Sequence, residues 1–259
     1  MKLTEEMCNK ARRRLVEMHY HSGVGHLGGN LSCLDVLMAL THNCLPERDY
    51  LILSKGHSAG ALYIALWSTG VLDDDDLKTF HCDATTLPGH PPVGVVDHIP
   101  FATGSLGHGL SLASGVAAGL RLLGQGGRVF CVMSDGEWQE GSTWEALIFA
   151  SHQKLNNMLI LVDHNQLQGF GSTAEVASMS PLWERLTGFN VDYSIVDGHD
   201  VNAIEVELMR PQMQLKIIFL KTIKGKGISF LEGKMESHYL PLTREQFNLA
   251  MKGFELNEI

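Results

Sequence analysis

Two points in this sequence carry oxygen donors suited to a hard cation. Ser134-Asp135-Gly136-Glu137 follows an apolar run at 128–133, and Asp163-His164-Asn165-Gln166-Leu167 follows the next such run at 158–162. Asp135 and Asn165 are 165 − 135 = 30 residues apart, about one strand–helix–strand unit. That spacing sets them at the carboxyl ends of neighbouring parallel strands, where open α/β sheets bind their ligands. One carboxylate, one amide oxygen and one backbone carbonyl form an oxygen-only set of low charge. Mg²⁺ prefers such partial coordination, completed by phosphate oxygens and water. Gly136 lets the backbone come close to a phosphate with no Cβ in the way. Taken singly, Asp135 reads as a helix cap and Asn165 as a turn residue; their matched placement at two strand ends favours the cation.

The second chemical signal is imidazole. The chain has 13 histidines and 27 glycines, and several of them occur together at strand-to-helix junctions. Imidazoles hydrogen-bond hydroxyls and titrate near neutral pH. A lone histidine is more often a packed or surface residue, so this signal needs further motifs beside it. No H-E-x-x-H or C-x-x-C pair points to zinc.

The elements that must position these residues follow from periodicity. Short β-branched runs alternate with helical stretches, which predicts βαβ units, hence a parallel sheet with helices on both faces. Strands are expected at 50–53, 128–133, 158–162, 191–196 and 215–222. Helices are expected at 4–20, from the turn after Ser54-Lys55-Gly56-His57 to Gly70, from Gly109 to near Gly124, at 143–152 and at 201–209. The Gly/Pro/His-rich segment 81–108 is long for a structureless loop in a compact domain unless it lines a site. Thr243-Arg244-Glu245-Gln246 reads as a helix start. Residues 1–259 read as one domain.

Composition narrows the class. A net charge of −9, from 29 acidic and 20 basic residues, lacks the basic field of a nucleic-acid binder. The Arg12-Arg13-Arg14 run reads as a solvated helix face, and Asp73–Asp76 as a loop or helix entry. Cys8, Cys33, Cys44, Cys82 and Cys131 are odd in number and scattered, as in reduced cytoplasmic proteins. No segment reads as a signal peptide or membrane span, so a cytoplasmic location is expected.

The S-D-G-E … D-H-N-Q-L pair resembles the thiamine diphosphate motif, which opens on G-D-G and closes about thirty residues on with an Asn. Further motifs narrow the resemblance to the N-terminal section of transketolase, with matches from His26 to His238. They include Ser22-Gly23-Val24-Gly25-His26-Leu27-Gly28-Gly29, Leu53-Ser54-Lys55-Gly56-His57 and Leu87-Pro88-Gly89-His90-Pro91. Thr103-Gly104-Ser105-Leu106-Gly107, Glu140-Gly141 through Glu145, Asp197-Gly198-His199-Asp200 and Ser237-His238 complete them.

The resemblance implies a thiamine diphosphate-binding fold in its diphosphate-binding form. Asp135, Asn165 and the carbonyl of Leu167 would bind Mg²⁺ or Ca²⁺. Gly104, Ser105 and Leu106 would contact the cofactor, Leu106 beside its ring, with Gly136 and Glu137 on its diphosphate side. His57 and His238 would lie near the diphosphate and the thiazolium carbon, and His26 and His90 would face a sugar phosphate. Glu140, counted with the catalytic set, and Glu145 match positions at the interface that links two active sites. His19, His21, His42, His152 and His164 match no catalytic position and read as structural.

The sequence departs from the family at Ser134, for the first Gly of G-D-G, at His108, often Gln, and at Ser105, where single-chain members have Pro. The departures bear on substrate preference. The glutamate that activates the aminopyrimidine ring belongs to a second domain type absent from these residues. The expectation is therefore one half of a split transketolase, moving a two-carbon ketol unit from a ketose phosphate to an aldose. It would need a C-terminal partner in an α₂β₂ assembly. Two rival readings compete: the α-subunit of a 2-oxo acid dehydrogenase, disfavoured by the His26, His57 and His90 loops, and a silent regulatory subunit, disfavoured by the intact site.

Overall fold

The computed structural model describes residues 3–43 and 48–256; Cys44 lies outside them. The chain runs α1 (Glu5–Ser22), α2 (Leu27–Asn43), β1 (Tyr50–Leu53), α3 (Ala59–Ser68), α4 (Asp74–Lys78), α5 (Gly109–Leu122), β2 (Val129–Ser134), α6 (Gly141–His152) and β3 (Met158–His164). It continues through β4 (Leu167–Gln168), β5 (Gly171–Ser172), α7 (Thr173–Ala177), β6 (Val191–Asp197), α8 (Val201–Met209), β7 (Leu215–Lys221), α9 (Glu236–Tyr239) and α10 (Arg244–Glu255).

Five strands form a parallel sheet in the order β1-β2-β3-β7-β6. The alternation of side chains sends Phe130, Val132, Leu159, Leu161, Ile218 and Leu220 to one face, against α1, α2 and α3. Cys131, Met133, Ile160, Val162, Ile217 and Phe219 go to the other, against α5 and α6. Both faces are covered, which is why these strands read as continuous apolar runs. Ser134 pairs with Asp163 in the β2–β3 register, so Asp135 and the His164–Leu167 turn leave the sheet side by side.

Helix α2 is not visible as a helix in the sequence. Fourteen of its residues are buried, from Leu27 through Leu40, leaving no polar stripe to mark a period. Its glycines look like loop residues but serve close packing. A Cβ on Gly28 would lie 2.1 Å from the Ser237 hydroxyl. The Arg12–Arg14 expectation is corrected in part. Arg13 and Arg14 face outward, but Arg12 is 5% exposed and grips Asp35 of α2 through two bonds of 2.8 and 2.7 Å. Asp35 also accepts from His199 Nδ1 at 2.8 Å, whose Nε2 accepts the Ile223 amide. This chain of contacts ties α1, α2 and the β6–α8 turn to the segment after β7.

Asp73–Asp76 is a helix entry, as read: Asp73 accepts the Asp75 and Asp76 amides, and Asp76 accepts the Asp73 amide. Thr243 and Gln246 form the same reciprocal cap on α10. That helix packs back on α1 by stacking Phe247 on Tyr20, with ring centres 3.9 Å apart.

Residues 79–108 form the long irregular segment expected from sequence. It is pinned at two points. Tyr63 donates its hydroxyl to the carbonyls of Pro88 and His90, at 2.9 and 3.2 Å, and Thr103 donates to the Leu53 carbonyl at 2.6 Å. These bonds carry the loop across the carboxyl edge of the sheet.

Candidate functional site

A cavity of about 310 Å³ opens at that edge, lined by residues from eight separate stretches of chain. At its floor, Asp135 is 5% exposed. Its Oδ2 accepts the Gln166 amide at 2.6 Å, while Oδ1 is buried with no partner among the described residues. Asn165 Oδ1 accepts the Leu167 amide at 3.0 Å, which fixes the turn, and its Nδ2 donates to Asp163 at 3.0 Å. The Leu167 carbonyl accepts from Lys224 Nζ at 3.2 Å. An unsatisfied carboxylate oxygen, an amide oxygen and a carbonyl thus gather at two strand ends, and a cation fits this donor set. Burial and the neighbouring Asp163 push the Asp135 carboxyl up to about 7, against the opposing pull of the Gln166 amide and the Lys55 charge.

The other wall is imidazole. His26, His57 and His238 form a triangle with ring centres 5.7, 5.2 and 5.6 Å apart. His90 closes against Gly104, where a Cβ would sit 2.6 Å from the His90 ring; Gly104 has φ +144, a conformation that suits glycine. His26 itself has φ 63, held by its amide donating to the His238 carbonyl at 2.9 Å. All four rings titrate below the ordinary imidazole range. Burial is the main cause throughout, followed by Lys55 for His57, Lys224 for His238, which falls to about 3, His90 for His26, and His81 for His90. At neutral pH these rings are uncharged and offer one donor and one acceptor each.

Three features below this surface escape a reading of the sequence. Asn30 of α2 donates to the carbonyls of both His26 (2.8 Å) and His57 (3.2 Å) and accepts the Ala61 amide at 2.7 Å. Asp163, fully buried, accepts from Lys55, Thr222, Ser32 (2.6 Å) and Asn165. That many donors hold its carboxyl below the usual range despite burial. Lys224 joins the Leu167 carbonyl to His238 Nδ1, which it meets at 2.7 Å. Burial and the charge of Lys55 lower its ammonium to about 8. A lysine in sequence reads as surface charge, and nothing local marks Lys55 and Lys224 as buried.

His26, His57, His90, His238, Gly104, Leu106, Asp135, Gly136, Asn165, Leu167 and Glu140, all singled out from the sequence, line the cavity. Two expected cofactor contacts do not. Ser105 is exposed outside the lining. Glu137 is fully buried behind it, its carboxylate accepting from Ser54, the Gly107 amide (3.0 Å), and the Ser134 amide and hydroxyl (2.7 and 3.2 Å). Glu137 therefore props the turn in place of facing the cavity. The same bonds explain the tolerance of Ser134: its extra hydroxyl has an acceptor. Glu140 and Glu145 are both exposed. His21, His42, His152 and His164 lie outside the lining; His19 lies directly behind it.

Oxygen donors and neutral imidazoles, gathered at the carboxyl edge of a doubly covered parallel sheet, make the frame of a phosphate-handling α/β enzyme domain. Residues 5–258 match the family described as transketolase, thiamine diphosphate binding domain. The chain belongs to the transketolase family, as its N-terminal, thiamine diphosphate-binding section. It is 36% identical to the 6-deoxy-6-sulfo-D-fructose transketolase subunit SqwG of Clostridium sp. (strain MSTE9), covering 97% of this chain and 96% of that one. It is 33% identical to an apulose-4-phosphate transketolase subunit of Actinobacillus succinogenes, covering 96% and 94%. The transketolase of Campylobacter jejuni superposes with a TM-score of 0.89 at 28% identity, over 98% of this chain but 43% of its own. Among the described residues no helix is long and apolar enough to cross a membrane.

Proposed function

We propose that this chain is the diphosphate-holding half of a two-chain transketolase that moves a two-carbon ketol unit from an anionic ketose to an aldose acceptor. The observation that carries this is the buried, unpartnered Oδ1 of Asp135, set beside Asn165 and the Leu167 carbonyl under four neutral histidines. Support for a separate partner comes from relatives named as subunits, matched along nearly their whole length. An α₂β₂ assembly is the proposed form.

Asp135, Asn165 and Leu167 would hold Mg²⁺ or Ca²⁺, and through it the diphosphate of the cofactor, with Lys224 adding positive charge at the same end. Gly136 leaves room for the phosphate. Bound thiamine diphosphate supplies the electron sink that carries the two-carbon unit. His57 and His238, uncharged, would offer N–H groups as neutral hydrogen-bond donors to the cofactor. His26 and His90 take and return protons at the sugar hydroxyls and orient them, a task worth on the order of 10²–10⁴ in rate. Leu106 offers apolar cover for the ring. Glu140, exposed at the rim, meets the partner.

The test is His26→Ala and His90→Ala in the assembled enzyme. Each should cut sugar transfer by about 10²-fold or more while cofactor affinity stays within about threefold. A variant that keeps the kcat/KM of the parent enzyme removes that histidine from the mechanism.

A further inference from the structure

Behind the imidazole wall lies a second, smaller cavity of about 80 Å³. His26, His57 and His90 line both spaces, so these three residues form the partition between them. The back of the small cavity is closed by His19, Asn30, Gly60, Phe80 and His81.

His19 is the unusual member. It sits in the last turn of α1 and is 3% exposed. Its Nδ1 lies 3.0 Å from the Gly25 carbonyl, which can only accept, so Nδ1 carries the proton. Nε2 is then a bare acceptor, and it has no partner among the described residues. Burial, the dominant influence, lowers this imidazole to about 4, so the tautomer stays neutral. Gly60 keeps open the space in front of Nε2: a Cβ there would lie 2.6 Å from that nitrogen and 3.1 Å from Asn30 Oδ1. A buried acceptor left unmade costs about 1–3 kcal/mol. A polar space of this volume has room for about two waters, each needing two to four polar partners. Asn30, His26, His81 and His90 supply such partners around it.

We propose that this cavity holds ordered water anchored by His19 Nε2, and that His19 is thereby a positioning residue for His26 and His90. The inference rests on the sugar-facing role given to those two histidines above. A water that donates one proton to Nε2 keeps a second proton and two lone pairs for the partition. It can accept an N–H from the rear of His26 or His90, leaving the opposite nitrogen of that ring as the acceptor that meets a sugar hydroxyl. His19 also holds the Gly25 carbonyl directly, one residue before the positive-φ backbone of His26. Its two nitrogens thus act on the same neighbour from two sides. Placed this way, His19 makes no contact with substrate.

A high-resolution crystal structure of the chain with its partner subunit tests the water directly. Ordered density within hydrogen-bond distance of His19 Nε2 supports the inference whether or not the complex turns over sugar, so its failure and that of the assigned function are read separately. A dry cavity overturns it. In the assembled enzyme, His19→Leu should lower kcat/KM for the sugar by about tenfold or more and displace its pH profile, with cofactor affinity within about threefold. His19→Gln, whose amide keeps one donor and one acceptor, should recover most of the rate. Equal impairment in both variants, or wild-type behaviour of His19→Leu, counts against a positioning role. Should His19→Leu fail to fold, the density and the Gln variant decide.

Discussion

Asp135 has one oxygen bonded to the Gln166 amide and the other bonded to nothing in the described protein. A side chain kept in that state destabilises the fold on its own, a cost that the cation of the proposed arrangement would offset. Asp135→Ala should weaken thiamine diphosphate binding at least about tenfold, which is about 1.4 kcal/mol. Calorimetry with the partner present reads this, and affinity unchanged by mutation or chelation would remove the metal from the account. The opposite sign holds without ligand. Because burial pushes the Asp135 carboxyl up to about 7, Asp135→Asn should raise the melting midpoint of the metal-free chain at about pH 8. A second residue gives a pH signature. His19 titrates near 4 in the fold against 6.5 when unfolded, so the unfolded chain binds more protons between those values. Its contribution to stability is complete above pH 6.5 and is lost as pH falls towards 4, up to about 3 kcal/mol. Urea unfolding from about pH 4.5 to about pH 7.5 should show this slope, flattened in His19→Gln. The donors and the imidazoles are legible in the sequence because their types and spacing are themselves the chemistry. Lys55, Asp163 and Lys224 are not, because their meaning lies in partners such as the Lys55–Asp163 pair, 163 − 55 = 108 residues apart.

At the scale of elements, strands and amphipathic helices declare themselves, while α2 does not. A helix buried on nearly all sides has no period to read, and Gly28 and Gly29 disguise its start as a loop. The same burial hides the role of Arg12, whose partner Asp35 lies on that unseen helix. The pair should matter far more than its neighbours. Asp35→Ala would strand the Arg12 guanidinium in the core and free His199, at a cost of about 3–5 kcal/mol. Arg13→Ala, at an exposed ion pair, should stay within about 0.5 kcal/mol. Equilibrium unfolding of the two variants makes the comparison, and similar losses would mean that the buried pair is not the tie between α1 and α2.

For the whole molecule, the described cavity holds the diphosphate end of a cofactor in the proposed arrangement and has no carboxylate in its lining beyond Asp135 and the rim residue Glu140. Neither meets an aminopyrimidine ring there. The chain alone, given thiamine diphosphate, Mg²⁺, a ketose phosphate and an aldose phosphate, should show no turnover in a coupled assay. A second copy cannot repair this, since it repeats the same surface. Activity that arises on adding a second polypeptide agrees with the two-chain reading; full activity without one contradicts it. The sheet and its ligand edge are readable from alternation alone. The course of residues 79–108 is not, since it depends on Tyr63 and Thr103 reaching loop and strand carbonyls that no local pattern announces.

The single amide of Asn30 has a further consequence. It is bonded to the backbone of His26, the backbone of His57 and the first turn of α3 together. Any movement of the Asn30 side chain therefore loosens the backbone at His26, the backbone at His57 and the start of α3 together, so these two wall positions are coupled through one amide. In the proposed arrangement, a replacement at Asn30 would disturb the sugar-facing His26 and the cofactor-facing His57 at once, although it touches neither ring.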